Sequence, residues 1–172
     1  MPLFLLIILI ILGIYFLVFF VLARLVIPFY GFKQYVLPTG IPQEIKDTIT
    51  QLEQKAHSQQ EYLKIVYDFV QQHWQAQRLK TILALPLAFR TDLKQIWQNQ
   101  GYSHCVTINL ITFILLAKSQ YFQEKDIKVR YAFFNLVLHQ YLKVRVNKKW
   151  IALDPSVTYA HLPIGKHAQW FG

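Results

Sequence analysis

The chain has 172 residues but only one cysteine, Cys105. A single cysteine cannot form an internal disulfide, so the fold depends on packing and hydrogen bonding alone. A zinc site built from cysteine and histidine needs several ligands at set spacings, and the sequence does not contain them. We therefore expect neither a metal site nor a cofactor.

Acidic residues are also scarce, since 9 Asp and Glu stand against 18 Lys and Arg, giving a net charge of +9. Between Lys118 and Lys149, eight basic residues accompany only Glu124 and Asp126. Basic and apolar residues alternate over 143–146, which predicts one basic strand face. No nucleic-acid recognition motif accompanies the charge, so we expect no nucleic-acid partner. The face is interpreted as a solvated surface or as a contact for anionic lipid headgroups.

The first segment lacks charge altogether. Residues 3–23, "LFLLIILIILGIYFLVFFVLA", contain no charged residue and no proline. As a helix they would extend roughly 30 Å, the thickness of a bilayer core. A cleavable signal peptide is the alternative, but no Lys or Arg precedes the apolar run. The sequence therefore predicts a transmembrane anchor at 1–24 that contacts the lipid bilayer through residues 3–23. The predicted protein is therefore a single-pass membrane protein. Because basic residues follow the span, the rest of the chain is expected on the cytoplasmic side.

The remainder divides into a linker and one domain. Residues 25–42 hold three prolines, two glycines and several aromatic residues. This composition predicts a juxtamembrane linker at 25–41 rather than a packed element. Residues 42–172 are numerous enough for one compact domain with its own core.

Helical spacing of apolar residues dominates the first half of that domain. It predicts helices over about 42–58 and 60–74, and a short helix that follows a cap at Thr91 or Asp92 and ends at Gly101. The second helix should bury one face, made of Leu63, Val66, Tyr67, Val70 and Trp74. Ser103 is the predicted N-cap of a further helix over about 104–119, which is apolar on nearly every side and therefore central and buried.

After about residue 126 the apolar residues recur at every second position. This alternation predicts antiparallel strands over 127–137, 139–146 and 149–154. Helices followed by such strands define an α+β fold. A two-residue turn at Asn147 and Lys148 would pair Val144 with Ile151 and Leu142 with Leu153. In this register Asp154 lies diagonal to the side chain at 139, within hydrogen-bonding reach.

The predicted fold would place a thiol, an imidazole and a carboxylate near one another. Cys105 lies in the first turn of a helix, where unpaired N–H groups favour a thiolate. His139 lies near the start of a strand, and Asp154 lies across the ladder from it. A carboxylate behind an imidazole fixes its tautomer, and an imidazole next to a thiol can carry its proton. We therefore predict a catalytic triad of Cys105, His139 and Asp154, against the alternative that Cys105 is an ordinary buried residue.

These residues resemble the transglutaminase-like superfamily of papain-type thiol enzymes. The resemblance lies in Cys105 followed by Asn109 at a helix start, in "HQY" at a strand start, and in Trp150 followed by "DP" at a strand end. It covers roughly residues 42–157. It implies a papain- or transglutaminase-like domain in which Cys105 is the nucleophile, His139 the general base and acid, and Asp154 the orienting carboxylate. The chain departs from the family pattern in lacking a glycine directly before the cysteine and in having tyrosine after the histidine.

The expected function is acyl transfer or hydrolysis at an amide bond of a protein or peptide substrate, through a cysteine thioester. Besides the N–H of the nucleophile, an oxyanion donor from upstream is required, for which Trp97, Gln98 and Gln100 are candidates. The alternative is a catalytically silent domain that binds a peptide or a lipid surface at the membrane. A third interpretation is a membrane-tethered scaffold whose basic face recruits acidic partners.

Overall fold

The computed structural model describes residues 3–31, 33–77, 80, 83–134, 137–158 and 162–169. In the described residues the fold is α+β, with six α-helices and a three-stranded antiparallel sheet. Helices precede the antiparallel strands, as predicted, and two short strands, β1 at Trp74–Gln75 and β2 at Gly101–Tyr102, lie between helices.

The N-terminal segment is not the single long α-helix that the sequence predicted. Helix α1, Leu3–Phe16, has 14 residues and is followed by a π-helix, Leu17–Leu22, and by the short helix α2, Ala23–Val26. At about 1.5 Å per residue, α1 extends roughly 21 Å, which is less than the roughly 30 Å of a bilayer core. Among the residues with described structure, no helix combines the length and the apolarity needed to cross a membrane. The predicted transmembrane helix and the predicted single-pass membrane location are therefore wrong.

Among the described residues, four further α-helices follow. They are α3 at Gln43–Glu53, α4 at Gln59–His73, α5 at Leu93–Gln98 and α6 at Cys105–Ala117. The Ser58 hydroxyl caps α4 by accepting from Glu61 N–H, and the Asp92 carboxylate caps α5 by accepting from Gln95 N–H at 3.0 Å. The Asp92 cap is as predicted, whereas α5 ends three residues before Gly101.

The sheet has the order β3-β4-β5, with β3 at Ile127–Phe134, β4 at Val137–Val146 and β5 at Lys149–Leu153. The predicted register is confirmed, because Val144 pairs with Ile151 and Leu142 with Leu153. Asn147 and Lys148 form the turn with φ of 48° and 65°. Two positive φ angles are typical of the type I′ turn that matches strand twist.

Helix α6 is the centre of the core, as predicted. Eleven of its residues are buried, from Val106 to Leu116, and it packs against both α4 and β4. The predicted buried face of α4 is also confirmed, since Leu63, Val66, Tyr67, Val70 and Trp74 are all buried. A helix held on two sides in this way fixes the position of its first residue, Cys105.

Residues 27–31 and 33–37, here called the strap, join the N-terminal helices to the domain. They form no helix or strand, but they make specific contacts with the sheet. The Gln34 side chain accepts from Val129 N–H at 2.7 Å, and the Tyr131 hydroxyl donates to the Gly31 carbonyl at 2.7 Å. The predicted juxtamembrane linker at 25–41 thus includes residues that contact β3.

Candidate active site

Cys105 is the first residue of α6, with His104 as its N-cap. The His104 carbonyl accepts from Thr107 N–H and Ile108 N–H, both at 3.0 Å. The N–H of Cys105 itself has no partner within the helix because it lies in the first turn. Cys105 is only half-buried, although the next eleven residues are buried.

The predicted cap at Ser103 is wrong, and the approach to the helix explains why. Short strands β1, Trp74–Gln75, and β2, Gly101–Tyr102, pair in parallel, and Ser103 N–H donates to the Gln75 carbonyl at 3.1 Å. Gly101 has φ of 95°, a conformation that favours glycine. This backbone pairing holds Ser103 one residue before the cap position.

The His104 ring points away from the helix terminus. One of its nitrogens, Nε2, lies 3.0 Å from the Ala84 carbonyl oxygen. Burial lowers the pKa of His104, against the opposing effect of that hydrogen bond. The His104 side chain therefore supplies no capping hydrogen bond to α6.

His139 and Asp154 form a buried pair. His139 Nε2 lies 2.8 Å from Asp154 Oδ2, and the two residues are 6% and 1% exposed. The predicted hydrogen bond between these side chains is therefore present. Strand β5 ends at Leu153, so Asp154 follows directly after the ladder, at the point where the sheet meets the helical layer.

Further groups hold the Asp154 carboxylate in place. The Ser156 hydroxyl donates to Asp154 Oδ1 at 2.8 Å, and the Ala168 N–H donates to Oδ2 at 3.0 Å. Burial by itself would raise the pKa of Asp154, but the His139 charge and these hydrogen bonds lower it. The carboxylate therefore remains ionised and is fully oriented.

The charge on His139 is stabilised from both sides of the ring. Burial by itself would lower the pKa of His139, but the Asp154 carboxylate and the Cys105 thiol together raise it. Of these two groups, Asp154 has the larger effect on the pKa of His139, and Cys105 adds to it. Because Nε2 is bonded to Asp154, Nδ1 is the ring nitrogen left for the sulfur. Of the predicted triad, the structure therefore joins His139 and Asp154 by a hydrogen bond, and Cys105 is close enough to raise the pKa of His139.

Asn109 fixes the distance between helix and strand at this point. It lies one turn after Cys105 and is fully buried, and its Nδ2 donates to the Gln140 carbonyl at 2.7 Å. Gln140 directly follows His139 in the chain. This hydrogen bond therefore ties the helix that carries the thiol to the strand that carries the imidazole.

The upstream oxyanion candidates do not lie in the described contacts of Cys105. Trp97 packs in an aromatic cluster, with its ring centroid 5.2 Å from that of Trp74 and 6.0 Å from that of Phe69. Gln98 and Gln100 are exposed. Across the described ranges, no hydrogen bond joins any of the three candidates to Cys105.

The basic strand face is partly neutralised within the protein. Arg145 Nε donates to Asp126 Oδ1 at 2.9 Å, and the Trp150 ring lies 4.4 Å from Lys128 Nζ.

Metal ligands are not clustered in the part of the chain that the structure describes. No group of three or more His, Cys, Asp or Glu residues there could hold a metal ion.

Sequence reasoning missed several residues that support the site. Ser156 had a usable signal, since a hydroxyl two residues after a carboxylate commonly bonds to it. The Ala168 N–H had none, because a backbone donor 14 residues away carries no sequence pattern. His167 was not singled out either, although its ring stacks on Tyr141 with a centroid distance of 4.0 Å.

No protein-family model, curated protein or solved structure matches the chain.

Proposed function

We propose that the chain is a transglutaminase-like thiol enzyme that transfers or hydrolyses the acyl group of an amide. The observation that carries the proposal is the buried His139–Asp154 hydrogen bond of 2.8 Å next to the half-buried thiol of Cys105. An ordinary structural cysteine needs no such pair. A buried ion pair is costly to maintain and gives weak net stability, which favours a chemical role for it.

The first half of the reaction forms the thioester. The Cys105 sulfur attacks the carbonyl carbon, a carbon–sulfur bond forms, and the π electron pair moves onto the oxygen. His139 accepts the thiol proton as the sulfur attacks, and its raised pKa allows the ring to hold that proton. When the carbonyl re-forms, the carbon–nitrogen bond breaks and His139 donates this proton to the departing amine.

The second half regenerates the thiol. Water or an amine attacks the thioester carbonyl, and His139 accepts the proton of the attacking group. The carbon–sulfur bond then breaks, and the proton returns to sulfur. Asp154 keeps the ring in one orientation throughout and stabilises its protonated form, as the carboxylate does in other triads.

The N-terminus of α6 supplies one hydrogen-bond donor for the oxyanion of the tetrahedral intermediate. The Cys105 N–H has no intrahelical partner, and the positive end of the α6 dipole lies at the same place. An oxygen bound there accepts a hydrogen bond from the residue that also supplies the nucleophile. This is the arrangement that stabilises tetrahedral intermediates in acyl transfer.

The decisive experiment uses the fact that Cys105 is the only cysteine, so every thiol adduct reports on this site. The purified chain is treated with chloroacetamide at pH 6.5, and the adduct is quantified by intact mass. We expect labelling faster than that of free glutathione, and His139→Ala should slow it roughly 10- to 100-fold because an ordinary thiol is only about 1% ionised at this pH.

A second measurement addresses the acyl chemistry directly. A glutamine-containing peptide is incubated with the chain and hydroxylamine, and the hydroxamate is followed by mass spectrometry. Cys105→Ser should abolish the product, since serine lacks an ionised nucleophile here. Labelling no faster than glutathione, together with no effect of His139→Ala, would overturn the proposal.

A further inference from the structure

The strap contacts both elements that carry the candidate catalytic residues. The Tyr30 hydroxyl donates to the carbonyl of Leu138, the residue directly before His139. The Tyr35 hydroxyl donates to the carbonyl of Val106, the residue directly after Cys105, at 3.0 Å. A segment outside the helical and strand layers therefore reaches the backbone on both sides of the thiol–imidazole pair.

Tyr35 also contacts the strand that carries His139. Its hydroxyl bonds to the side-chain oxygen of Gln140 as well as to Val106, so one proton is shared between two acceptors. The Tyr35 ring packs edge-on against Phe113, with a centroid distance of 5.3 Å. The ring is thus seated on α6 by packing, and the hydroxyl joins α6 to β4.

The Gln140 side chain forms hydrogen bonds with two residues of the strap, Phe29 and Tyr35. It is fully buried, and its Nε2 donates to the Phe29 carbonyl at 2.8 Å and to the Tyr131 hydroxyl at 3.0 Å. Its carbonyl accepts from Asn109. A buried amide with every hydrogen-bonding group engaged has one orientation, which fixes the position of the strap relative to β4.

We infer that Tyr35 is a positioning residue of the candidate active site, holding the first turn of α6 at a set distance from His139; this inference rests on the proposed function. Tyr35 touches neither reacting atom, and it acts through Val106 and Gln140. Loss of its hydroxyl removes the only link from the strap to α6 that is a hydrogen bond within the described residues. The thiol and the imidazole would then separate or rotate, and proton transfer between them would weaken.

The Tyr35 hydroxyl is suited to this role because it keeps its proton. Burial raises its pKa well above the ordinary value, with further contributions from Tyr131 and Cys105. Burial is also the main cause of the raised pKa values of Tyr30 and Tyr131, and Cys105 contributes to each. All three tyrosine hydroxyls therefore stay protonated in the neutral range, so Tyr35 can donate its hydrogen bond throughout it.

The test compares Tyr35→Phe with wild type and with a matched control, Tyr62→Phe, in the full chain. Tyr62 is also a buried tyrosine whose hydroxyl donates to an α6 carbonyl, that of Leu115 at 2.9 Å, but at the far end of the helix. Chloroacetamide labelling of Cys105 is measured from pH 5.5 to 9, together with thermal unfolding. Both variants should lose similar stability, since each loses one buried hydroxyl.

The expected result is a change in labelling for Tyr35→Phe alone. At pH 6.5 its rate should fall roughly three- to tenfold, and its pH profile should move toward that of His139→Ala. Tyr62→Phe should retain the wild-type profile. Should Tyr35→Phe fold poorly, Tyr131→Phe takes its place, because it removes the hydrogen bonds of the Tyr131 hydroxyl to Gly31 and to Gln140 and so loosens the strap without removing a bond to α6.

Two outcomes overturn the inference, and they differ in meaning. If His139→Ala slows labelling but Tyr35→Phe and Tyr131→Phe match Tyr62→Phe, the strap does not position the site and the proposed function stands. If none of these variants slows labelling, the thiol–imidazole pair is not functional, and the proposed function fails together with the role of Tyr35.

Discussion

Asn109 on α6 and Gln140 on β4 are joined by a hydrogen bond of 2.7 Å from the side-chain amide to the backbone carbonyl. Each residue is fully buried. Asn109 lies one helical turn from Cys105, and Gln140 is the neighbour of His139. This amide is therefore one of the contacts that set the separation of the two candidate catalytic residues.

Replacing Asn109 with leucine should destabilise the fold and lower the rate at which Cys105 reacts with chloroacetamide. The substitution keeps the side-chain size but removes a buried hydrogen bond, at a cost of about 1–3 kcal/mol. Labelling of Cys105 by chloroacetamide should also slow, because α6 is no longer tied to β4 at that level. Thr112→Val is the control, since the Thr112 hydroxyl donates only within α6, to the Ile108 carbonyl at 2.8 Å. Equal labelling by the two variants would argue against a positioning role for Asn109.

Replacing Asp154 with asparagine should destabilise the protein more at pH 6 than at pH 9. The lowered pKa of Asp154 contributes stability that is complete above its ordinary value, about 4, and is lost as the pH falls through the lowered value. The raised pKa of His139 contributes stability that is complete below about 6.5 and is lost as the pH rises through the raised value. Both contributions are therefore complete between about pH 4 and 6.5.

At pH 6 the variant lacks the carboxylate that holds a proton on the buried His139 ring, so the ring must be buried charged and unpaired or lose its proton, at a cost of up to about 3–5 kcal/mol. At pH 9 part of the His139 contribution is already lost in the wild type, so the difference between the two proteins should shrink. Urea unfolding at the two pH values measures this. A penalty that is constant or grows with pH would show that His139 and Asp154 are not a charged pair.

Replacing Ser156 with alanine should produce a smaller change of the same kind. Ser156 is fully buried, and its hydroxyl donates to Asp154 Oδ1 at 2.8 Å. A hydrogen bond to a charged group contributes about 1.5–3 kcal/mol, and its loss leaves the Ala168 N–H and His139 on the carboxylate. The pKa of Asp154 should rise, and acid unfolding should begin at a higher pH than in wild type. An unchanged acid transition would show that the hydroxyl does not stabilise the ionised carboxylate.

The sheet and the His139–Asp154 contact were predictable because local rules determine them. Apolar residues at spacing two specify the buried face of β4 and β5, and a two-residue turn at Asn147 and Lys148 fixes the register. Once the register is fixed, the position of Asp154 relative to His139 follows. Cys105 at a helix start was predictable for a similar reason, from the polar residues that precede an apolar run.

The N-terminal segment and the strap were not predictable from the same rules. Continuous apolarity in residues 3–23 does not reveal that the α-helix ends at Phe16 and continues as a π-helix, because both forms suit the same side chains. Tyr35 meets Gln140 across 105 residues of chain, and Tyr30 meets Leu138 across 108. Such contacts depend on how the whole domain packs, and no spacing or periodicity records them.

Replacing Lys148 with glycine should stabilise the hairpin that presents His139 and Asp154. Lys148 has φ of 65°, a left-handed conformation that costs a non-glycine residue about 1 kcal/mol. Glycine at this position of a type I′ turn removes that strain, although it also gives the unfolded chain more freedom. The expected net gain in the free energy of unfolding is about 0.5 kcal/mol, measured by urea denaturation. Lys149→Gly is the control: it lies in β5, where glycine weakens a strand, and it should lower stability. A loss of stability in Lys148→Gly would mean that the turn does not store this strain.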